Sequence, residues 1–489
     1  MTARPNIPAI AAAPLAARIG RQWDADIVPQ LVEYVRIPAK SPHFDAGWAK
    51  NGHIEAAIRQ AERWVSAQGV KGLDLKVLHL EGRTPVLFFD IPATGGLGDE
   101  RTVLFYGHLD KQPEMTGWRE GLGPWDPVID DGKLYGRGGA DDGYAVFAAI
   151  SAVMALDAEG VARPRCLGLI ETCEESGSYD LPAYLDLLAP RMGDVQLVVA
   201  LDSGAGNYEQ LWVTTSLRGL VNGNLEVKIL EEGVHSGDAG GIVPSSFRIA
   251  RAVLDRIDDS RTGVVKPAAF NGEIPADRLE QARQAAAILG EATWKRFPWA
   301  SCCDDQGTAS IFAEPVTKDP VEAILNRTWR AALAVVGADG LPPTHSAGNV
   351  QRPFTTLKLS LRLPPNVEAN GAAATLKRVL EADPPNNSRV TFSYDQAANG
   401  WNAPAVAPWL AAALDGASQA NFGKPAAYMG EGGTIPFMGM LGAKFPDAQI
   451  LVTGVLGPKS NAHGPNEFLH VPYAKKVTVA TAMVVAAAR

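Results

Sequence analysis

A histidine and an aspartate two residues apart are the first side chains whose spacing points to chemistry. His108 and Asp110 follow Val103–Tyr106, a short apolar and aromatic run typical of a buried strand. Residues two apart on an extended segment point the same way, so the Asp110 carboxylate can reach the imidazole and fix its tautomer. Histidines that bind metals usually have such a partner. Taken alone, the pair is equally compatible with a surface loop.

A glycine-rich segment, Gly136–Gly143, carries the paired carboxylates Asp141 and Asp142 into the apolar run Ala145–Ala155. Its glycines allow the backbone to pack closely, and the start of a helix tolerates negative charge. For an isolated pair of this kind, the commoner interpretation is an N-capping Asp beside a solvated one.

Carboxylates also follow the next two predicted strands. Glu174 and Glu175 come shortly after Leu167–Ile170, and Asp202 follows Val198–Leu201. Two adjacent glutamates are by default a solvated pair, because charged residues are mostly exposed. Repetition at successive strand ends reverses that preference, since sites in α/β sheets gather at the carboxyl ends of strands. The sequence therefore predicts a metal site at this edge of the sheet.

Composition excludes several classes of partner. The 489 residues include 45 basic and 54 acidic side chains, a net charge of −9, and no basic block, which argues against nucleic acid and anionic membrane surfaces. No apolar run approaches a membrane span. The stretch Ile7–Leu15 is broken by two prolines, which disfavours a signal peptide. Four cysteines, two of them adjacent, make a poor disulfide framework, so we expect a reducing, cytoplasmic location.

Hydrophobic periodicity predicts an α/β fold with a mainly parallel sheet and helices on both faces. The predicted helices cover residues 26–37, 53–68, 142–157, 181–188, 245–258, 370–381, 407–420 and 472–488, and the predicted strands cover residues 86–91, 103–106, 165–171, 195–201, 217–229, 355–363, 390–394 and 449–453.

The pattern changes at Ser216, where alternating strands with one solvated face indicate a small α+β domain. It returns to helices and apolar strands after Trp401. We therefore predict a discontinuous catalytic domain, residues 1–215 and 400–489, with residues 216–399 inserted as a lid or dimerisation domain. Within the insertion, residues 261–348 have no clear pattern.

Assembled in order, these segments resemble the two-metal exopeptidase family that contains carnosinase, cytosolic non-specific dipeptidase, the glutamate carboxypeptidases and the aminoacylases. The resemblance is closest to the carnosinase-like dipeptidase branch and covers nearly the whole chain. The matching motifs are GHLD at Gly107–Asp110, GRGGADD at Gly136–Asp142, EESGS at Glu174–Ser178, Asp202, SLRG at Ser216–Gly219, HSG at His235–Gly237, LRLPPN at Leu361–Asn366, EGGTIP at Glu431–Pro436 and AHGPNE at Ala462–Glu467.

The resemblance implies a centre of two divalent metal ions per subunit. Asp141 would bridge the ions, with His108 and Asp202 completing one site and Glu175 and His463 the other. Imidazole and carboxylate ligands suit zinc, the expected metal, and also manganese or cobalt. The resemblance also implies a cis peptide bond between Asp141 and Asp142.

The same resemblance assigns the catalytic and substrate-binding residues. Glu174 would be the general base, Asp110 would support His108, and His235 would steady the oxyanion. A clamp for the substrate carboxylate would consist of Arg362 with the backbone around Gly433, Thr434 and Ile435. Relatives pair through the inserted domain, so we expect a homodimer in which His235 serves the neighbouring protomer. A lid that places His235 over its own site is the alternative.

Two departures bear on substrate preference. Gly143 stands where many relatives have Lys, and the stretch Asp395–Gly400 lacks a histidine that carnosinase-like members carry. The expected activity is hydrolysis of a dipeptide or of the C-terminal bond of a short peptide. An N-acyl amino acid deacylase would use the same water and metals. A binding protein without catalysis is a third hypothesis, which the intact ligand set disfavours.

Overall fold

The computed structural model of the chain describes residues 11–303, 309–311 and 313–488. Residues 7–10 of the alanine-rich stretch Ile7–Leu15 lie outside these ranges. The described α-helices are α1 Ala12–Gln22, α2 Val28–Val35, α3 Trp48–Asn51, α4 His53–Ala67, α5 Tyr144–Ala158, α6 Leu181–Met192, α7 Ser236–Ala239, α8 Ser246–Leu254, α9 Ala276–Leu289, α10 Ala292–Lys295, α11 Pro320–Thr328, α12 Ala369–Glu381, α13 Pro408–Phe422, α14 Pro436–Lys444 and α15 Val471–Ala487.

The described strands are β1 Asp74–Leu78, β2 Val86–Ile91, β3 Arg101–His108, β4 Val128–Asp130, β5 Lys133–Tyr135, β6 Arg165–Glu171, β7 Asp194–Ala200, β8 Trp212–Leu217, β9 Gly219–Lys228, β10 Val234–His235, β11 Ser301–Cys303, β12 Ala309–Ile311, β13 Ala332–Asp339, β14 Val350–Gln351, β15 Phe354–Leu363, β16 Arg389–Ala398, β17 Trp401–Asn402, β18 Ala427–Glu431, β19 Gln449–Val452 and β20 Phe468–His470. A short π-helix occurs at Trp23–Ile27, a kinked turn with non-helical backbone at Asp141 and Asp142 forms Gly139–Gly143, and a 3₁₀ turn forms Glu174–Ser176.

The chain forms two compact units. Unit 1 comprises residues 1–215, 403–429 and 440–489, and unit 2 comprises residues 216–402 and 430–439. Residues 430–439, which carry most of the EGGTIP motif, thus cluster with the inserted segment. The roles predicted for the two parts of the chain stay predictions.

Unit 1 is built on a six-stranded sheet in the order β1-β2-β6-β3-β7-β19. The four strands from β6 to β19 run parallel, and β1 and β2 join antiparallel at one edge. The predicted α/β class with a mainly parallel sheet is confirmed. Helix α5 is apolar on all sides and almost entirely buried, as expected for a helix in the centre of a domain.

One helical stretch of 20 residues, Gly139–Ala158, is long and apolar enough to cross a membrane by length and composition alone. It is the only such stretch in the described ranges, and it includes the site residues Asp141 and Asp142. Of its most apolar window, 94% is buried inside the protein, a property that core helices share.

Unit 2 contains an antiparallel sheet in the order β13-β15-β9-β16. Helices α8 and α12 pack on one face of it, around a core that includes Leu225, Leu361 and Leu376. Side chains alternate along β15, so Arg362 points to the face opposite its buried neighbours Leu361 and Leu363. The segment 261–348, left unplaced by the sequence, supplies α9 to α11 and the edge strand β13.

Candidate metal centre

Three neighbouring parallel strands of unit 1 end at the predicted site. His108 is the last residue of β3 and pairs in register with Glu171, the last residue of β6. The turn with Glu174 and Glu175 follows β6, and Asp202 follows β7. Because the carboxyl ends of parallel strands meet at one edge, the sheet brings these side chains together.

Asp141 lies between two imidazoles. Its Oδ1 is 3.3 Å from Nε2 of His108, and its Oδ2 is 3.1 Å from Nε2 of His463. The residue sits in the kinked turn Gly139–Gly143 that precedes α5, where its own backbone is not helical, and the peptide bond to Asp142 is cis. That predicted cis bond is confirmed. Two oxygens that face two separate nitrogen ligands form the arrangement that a bridging carboxylate needs.

The remaining predicted ligands lie on the two sides of Asp141. Nε2 of His108 is 3.8 Å from Oδ2 of Asp202, and Nε2 of His463 is 3.4 Å from Oε2 of Glu175. Potential ligand atoms of His108, Asp141 and Glu175 all lie within 4.8 Å of one another. The structure thus brings together all five residues that the sequence singled out.

Asp110 supports two parts of the centre. Nδ1 of His108 lies 3.0 Å from the backbone oxygen of Asp110 and 3.5 Å from its carboxylate, so the predicted partner is right but the nearer acceptor is its main chain. The carboxylate accepts the backbone N–H groups of Glu174 at 3.1 Å and Glu175 at 3.0 Å. One residue therefore orients a histidine through its backbone oxygen and fixes the glutamate turn through its carboxylate.

Several carboxyl groups lie close together in the centre, and most of them have raised pKa values. Burial, with the charge of Asp141 adding to it and nearby histidines opposing it, raises the pKa of Asp202 to about 7 and that of Glu175 to about 8. Burial and the charge of Asp202 raise the pKa of Glu174 well above its usual range. Burial acts on Asp141 too, but hydrogen bonds to His108 and His463 outweigh it and hold its pKa well below the usual range.

These residues fit divalent metal ions. Oε1 of Glu175 and Oδ1 of Asp142 are buried and have no hydrogen-bond partner, and a bound cation would satisfy such atoms. Nitrogen and oxygen donors without cysteine suit zinc, manganese or cobalt in a catalytic centre. Asp142 was not predicted as a ligand, yet its carboxylate forms a second compact group with His108 and Asp202.

Three further residues at the centre escaped the sequence analysis. Nε2 of Gln112 donates to Oε2 of Glu175 at 2.5 Å. Arg137 and Glu467 form a buried ion pair beside His463. Two of them lie within the matching motifs, which could have pointed to them: Arg137 is the second residue of GRGGADD and Glu467 ends AHGPNE. Gln112 lies in none of these motifs.

The predicted substrate-binding residues lie in unit 2. Nη1 of Arg362 donates to Oγ1 of Thr434 at 2.9 Å, and that hydroxyl donates to the backbone oxygen of Arg218 at 2.6 Å. Gly433 and Ile435 flank Thr434 in the chain. Arg218, which sequence reasoning did not select as a site residue, is 9% exposed and donates from Nε to the backbone oxygen of Gly432 at 3.2 Å.

His235 is an exposed residue of unit 2, at the end of the two-residue strand β10. Its Nδ1 accepts the backbone N–H of Gly237 at 3.1 Å. In a neutral ring this places the proton on Nε2, which is then a donor.

Comparison with known proteins places this architecture in a family. Residues 104–489 match the model for peptidase family M20/M25/M40. The chain is 27% identical over 400 residues to cysteinylglycine-S-conjugate dipeptidase of Corynebacterium striatum, covering 79% of this chain and 81% of the relative. It is 29% identical over 283 residues to human Beta-Ala-His dipeptidase, covering 57% of this chain and 53% of the relative.

Solved structures share the fold over almost the full length. Human carnosine dipeptidase 1 superimposes with a TM-score of 0.77 at 20% identity, covering 98% of this chain and 99% of that chain. The dipeptidase Dug1p of Saccharomyces cerevisiae gives a TM-score of 0.76 at 19% identity, covering 98% of both chains.

Proposed function

Because this chain belongs to peptidase family M20/M25/M40, we propose that it is a metal-dependent exopeptidase that hydrolyses dipeptides or the C-terminal bond of short peptides. The relatives named as dipeptidases support this substrate class. We further propose that unit 1 is the catalytic domain and that the inserted segment is the lid or dimerisation domain of a cytoplasmic homodimer. The described cysteines Cys166 and Cys173, both free, are in keeping with a reducing compartment.

The position of Asp141 between His108 and His463 is the observation that carries the proposal. His108 and Asp202 would hold one divalent ion, Glu175 and His463 the other, and Asp141 both. Zinc is the metal we expect. When bound, such ions supply Lewis acidity and lower the pKa of the attacking water.

Glu174 is suited to the proton transfers. Its side chain is 10% exposed, and its Oε2 lies 4.0 Å from Nε2 of His108, so it faces the centre without approaching it as closely as the proposed ligands. Asp110 fixes its backbone. Glu174 would accept a proton from the attacking water and pass it to the leaving amine, a role that contributes roughly 10²–10⁴-fold to the rate.

Residues of unit 2 would recognise the substrate. Arg362 has no acidic ion-pair partner among the described residues and is oriented by Thr434, which leaves its planar guanidinium suited to a carboxylate. The backbone from Gly433 to Ile435 would complete the clamp. The exposed Nε2 of His235 would donate to the oxyanion of the tetrahedral intermediate.

A substrate panel with and without chelator tests the proposal. We expect free dipeptides to be hydrolysed, the activity to disappear on chelation and to return with zinc, and metal analysis to give two ions per chain. Hydrolysis of N-acetyl amino acids in preference to dipeptides would replace the peptidase by the deacylase alternative. No hydrolysis of either class by the metal-loaded protein would overturn the catalytic proposal.

A further inference from the structure

We infer that Arg137 and Glu467 are positioning residues for His463, and that they set the affinity of one metal ion and not of the other. The inference rests on the proposed two-metal centre, in which His463 and Glu175 hold one ion.

Arg137 binds the backbone of the histidine itself. Its Nη2 donates to the backbone oxygens of His463 and Gly464, both at 2.9 Å. Nε donates to the backbone oxygen of Pro113 at 3.2 Å. The guanidinium is 1% exposed, so its position is fixed by the surrounding protein. The planar guanidinium binds the two carbonyls through Nη2, Glu467 through Nη1 and Pro113 through Nε, four acceptors in all, whereas an ammonium has only three donors.

Glu467 joins the loop to the segment that carries Asp141. Its carboxylate, which is 0% exposed, accepts Nη1 of Arg137 and the backbone N–H of Gly138, the latter at 2.9 Å. Its backbone oxygen accepts the N–H of Gly136 at 3.0 Å. The ion pair thus ties the turn before Asp141 to the loop of His463.

The His463 loop needs such support because its own conformation is unfavourable. Asn461, His463 and Asn466 have φ values of 56°, 64° and 61°, in the left-handed region that disfavours side chains other than glycine. The His463 side chain is 56% exposed, so packing alone does not fix its ring. The hydrogen bonds from Arg137 to the backbone oxygens of His463 and Gly464 hold the backbone that carries this ring.

The two ligands that belong to the other ion alone do not contact this pair. His108 lies at the end of β3 and is oriented by Asp110, and Asp202 follows β7 within the same sheet. Loosening the His463 loop would therefore weaken the ion between Glu175 and His463 while leaving the ion at His108 and Asp202 in place.

Metal titration by calorimetry on the chelator-treated protein tests this separation. For wild type we expect two zinc sites. For Arg137→Lys we expect one site with unchanged affinity and one weakened by about 10–100-fold, the usual effect of removing a group that orients a ligand. His463→Ala should weaken the same site, and adding Arg137→Lys to it should have little further effect.

Arg163→Lys is the matched control. Arg163 is also 1% exposed and pairs with Asp157 through Nε at 2.8 Å and Nη2 at 2.9 Å, but it precedes β6, at the end of the strand away from the centre. The Arg163→Lys protein should bind both ions with the affinities of wild type. If Arg137→Lys does not fold, Glu467→Gln serves instead, since it removes the carboxylate that both Arg137 and Gly138 require, and we expect the same site to weaken.

The outcomes separate this inference from the proposed function. Two sites of wild-type affinity in a folded Arg137 or Glu467 variant would overturn the positioning role and leave the centre intact. Equal weakening of both sites, or the same loss in Arg163→Lys, would show a general structural effect and also overturn it. A wild-type protein with fewer than two sites would overturn the proposed centre itself.

Discussion

The candidate metal-binding and substrate-binding residues of the two units carry charge of opposite sign. In unit 1, acidic side chains crowd the strand ends, and burial raises the pKa of Asp202 to about 7 and of Glu175 to about 8. In unit 2, arginines gather around the loop that follows β18, and burial, aided by the charges of Arg362 and Arg327, lowers the pKa of Arg218 to about 9. Burial also lowers the pKa of Arg362.

The contrast shows what each unit lacks. A buried charge is costly unless an opposite charge accompanies it. The acids of unit 1 therefore match cations, and the arginines of unit 2 match an anion such as the carboxylate of a peptide. Variants of the acids in unit 1 should change metal binding or the proton transfers at the metals, and variants of the arginines in unit 2 should change recognition of the substrate carboxylate.

The largest effect is expected in unit 1, from Glu174→Gln. Turnover should fall by roughly 10²–10⁴-fold because the proton acceptor is lost, while metal content stays near that of wild type because the residue is proposed not to be a ligand. Glu175→Gln is the control and should lose one ion. Metal loss in Glu174→Gln, with metal retained in Glu175→Gln, would reverse the two assignments. Steady-state kinetics and elemental analysis decide the matter.

In unit 2, Arg362→Ala should lower kcat/KM far more for substrates with a free C-terminus than for their amidated analogues. A charge-assisted contact whose partner is left unpaired costs about 2–5 kcal/mol, and the measurement is kcat/KM for each matched pair. Metal content should not change. Equal losses on both substrates would remove Arg362 from carboxylate recognition.

A subunit-mixing experiment tests whether His235 serves a neighbouring protomer. Glu174→Ala and His235→Ala are each expected to be inactive, and refolding them together forms heterodimers. If His235 acts in trans, one site of each heterodimer has both residues, and random pairing in a twofold dimer restores about a quarter of wild-type activity. Heterodimers that form and stay inactive would place His235 in its own protomer's site.

Much of unit 1 is predictable because local patterns determine it. The apolar runs that become β2 and β6 are bounded as predicted, at Val86–Ile91 and Arg165–Glu171. The spacing of His108 and Asp110 correctly predicts that they are partners. It does not show that the nearer acceptor is a backbone oxygen, because that depends on the path of the chain after the strand.

Contacts between distant segments could not be predicted from the sequence. Arg137 and Glu467 are 330 residues apart, and no local pattern pairs them. Asp142 is buried, and its carboxylate accepts the His108 backbone N–H at 3.3 Å, a contact between segments 34 residues apart that the sequence did not predict. Residues 430–439 cluster with unit 2 because Gly432 and Thr434 bind Arg218, a contact that neighbouring residues in the chain cannot reveal.

The smallest expected effect concerns the pH dependence of stability, and it tests the charge assignment of unit 1 without any substrate. The folded metal-free protein holds protons on Asp202 and Glu175 up to pKa values of about 7 and about 8, whereas unfolded carboxyls release theirs near pH 4. A raised folded pKa contributes stability that is complete below the unfolded pKa and is lost as the pH rises through the folded one. The metal-free protein should therefore become less stable between about pH 4 and pH 8.

Chemical denaturation at pH 5.5 and pH 8.5 measures this loss, which we expect to be on the order of 5 kcal/mol for these two carboxyl groups. The charges of Glu175 and Asp141 raise the pKa of His463 to about 10, and this shift changes stability in the same direction. Zinc should remove most of the loss because it favours the ionised carboxylates, and Asp202→Asn should reduce it by deleting one titrating group. A metal-free protein equally stable at both pH values would contradict the crowding of acids in unit 1 and leave the arginines of unit 2 untouched.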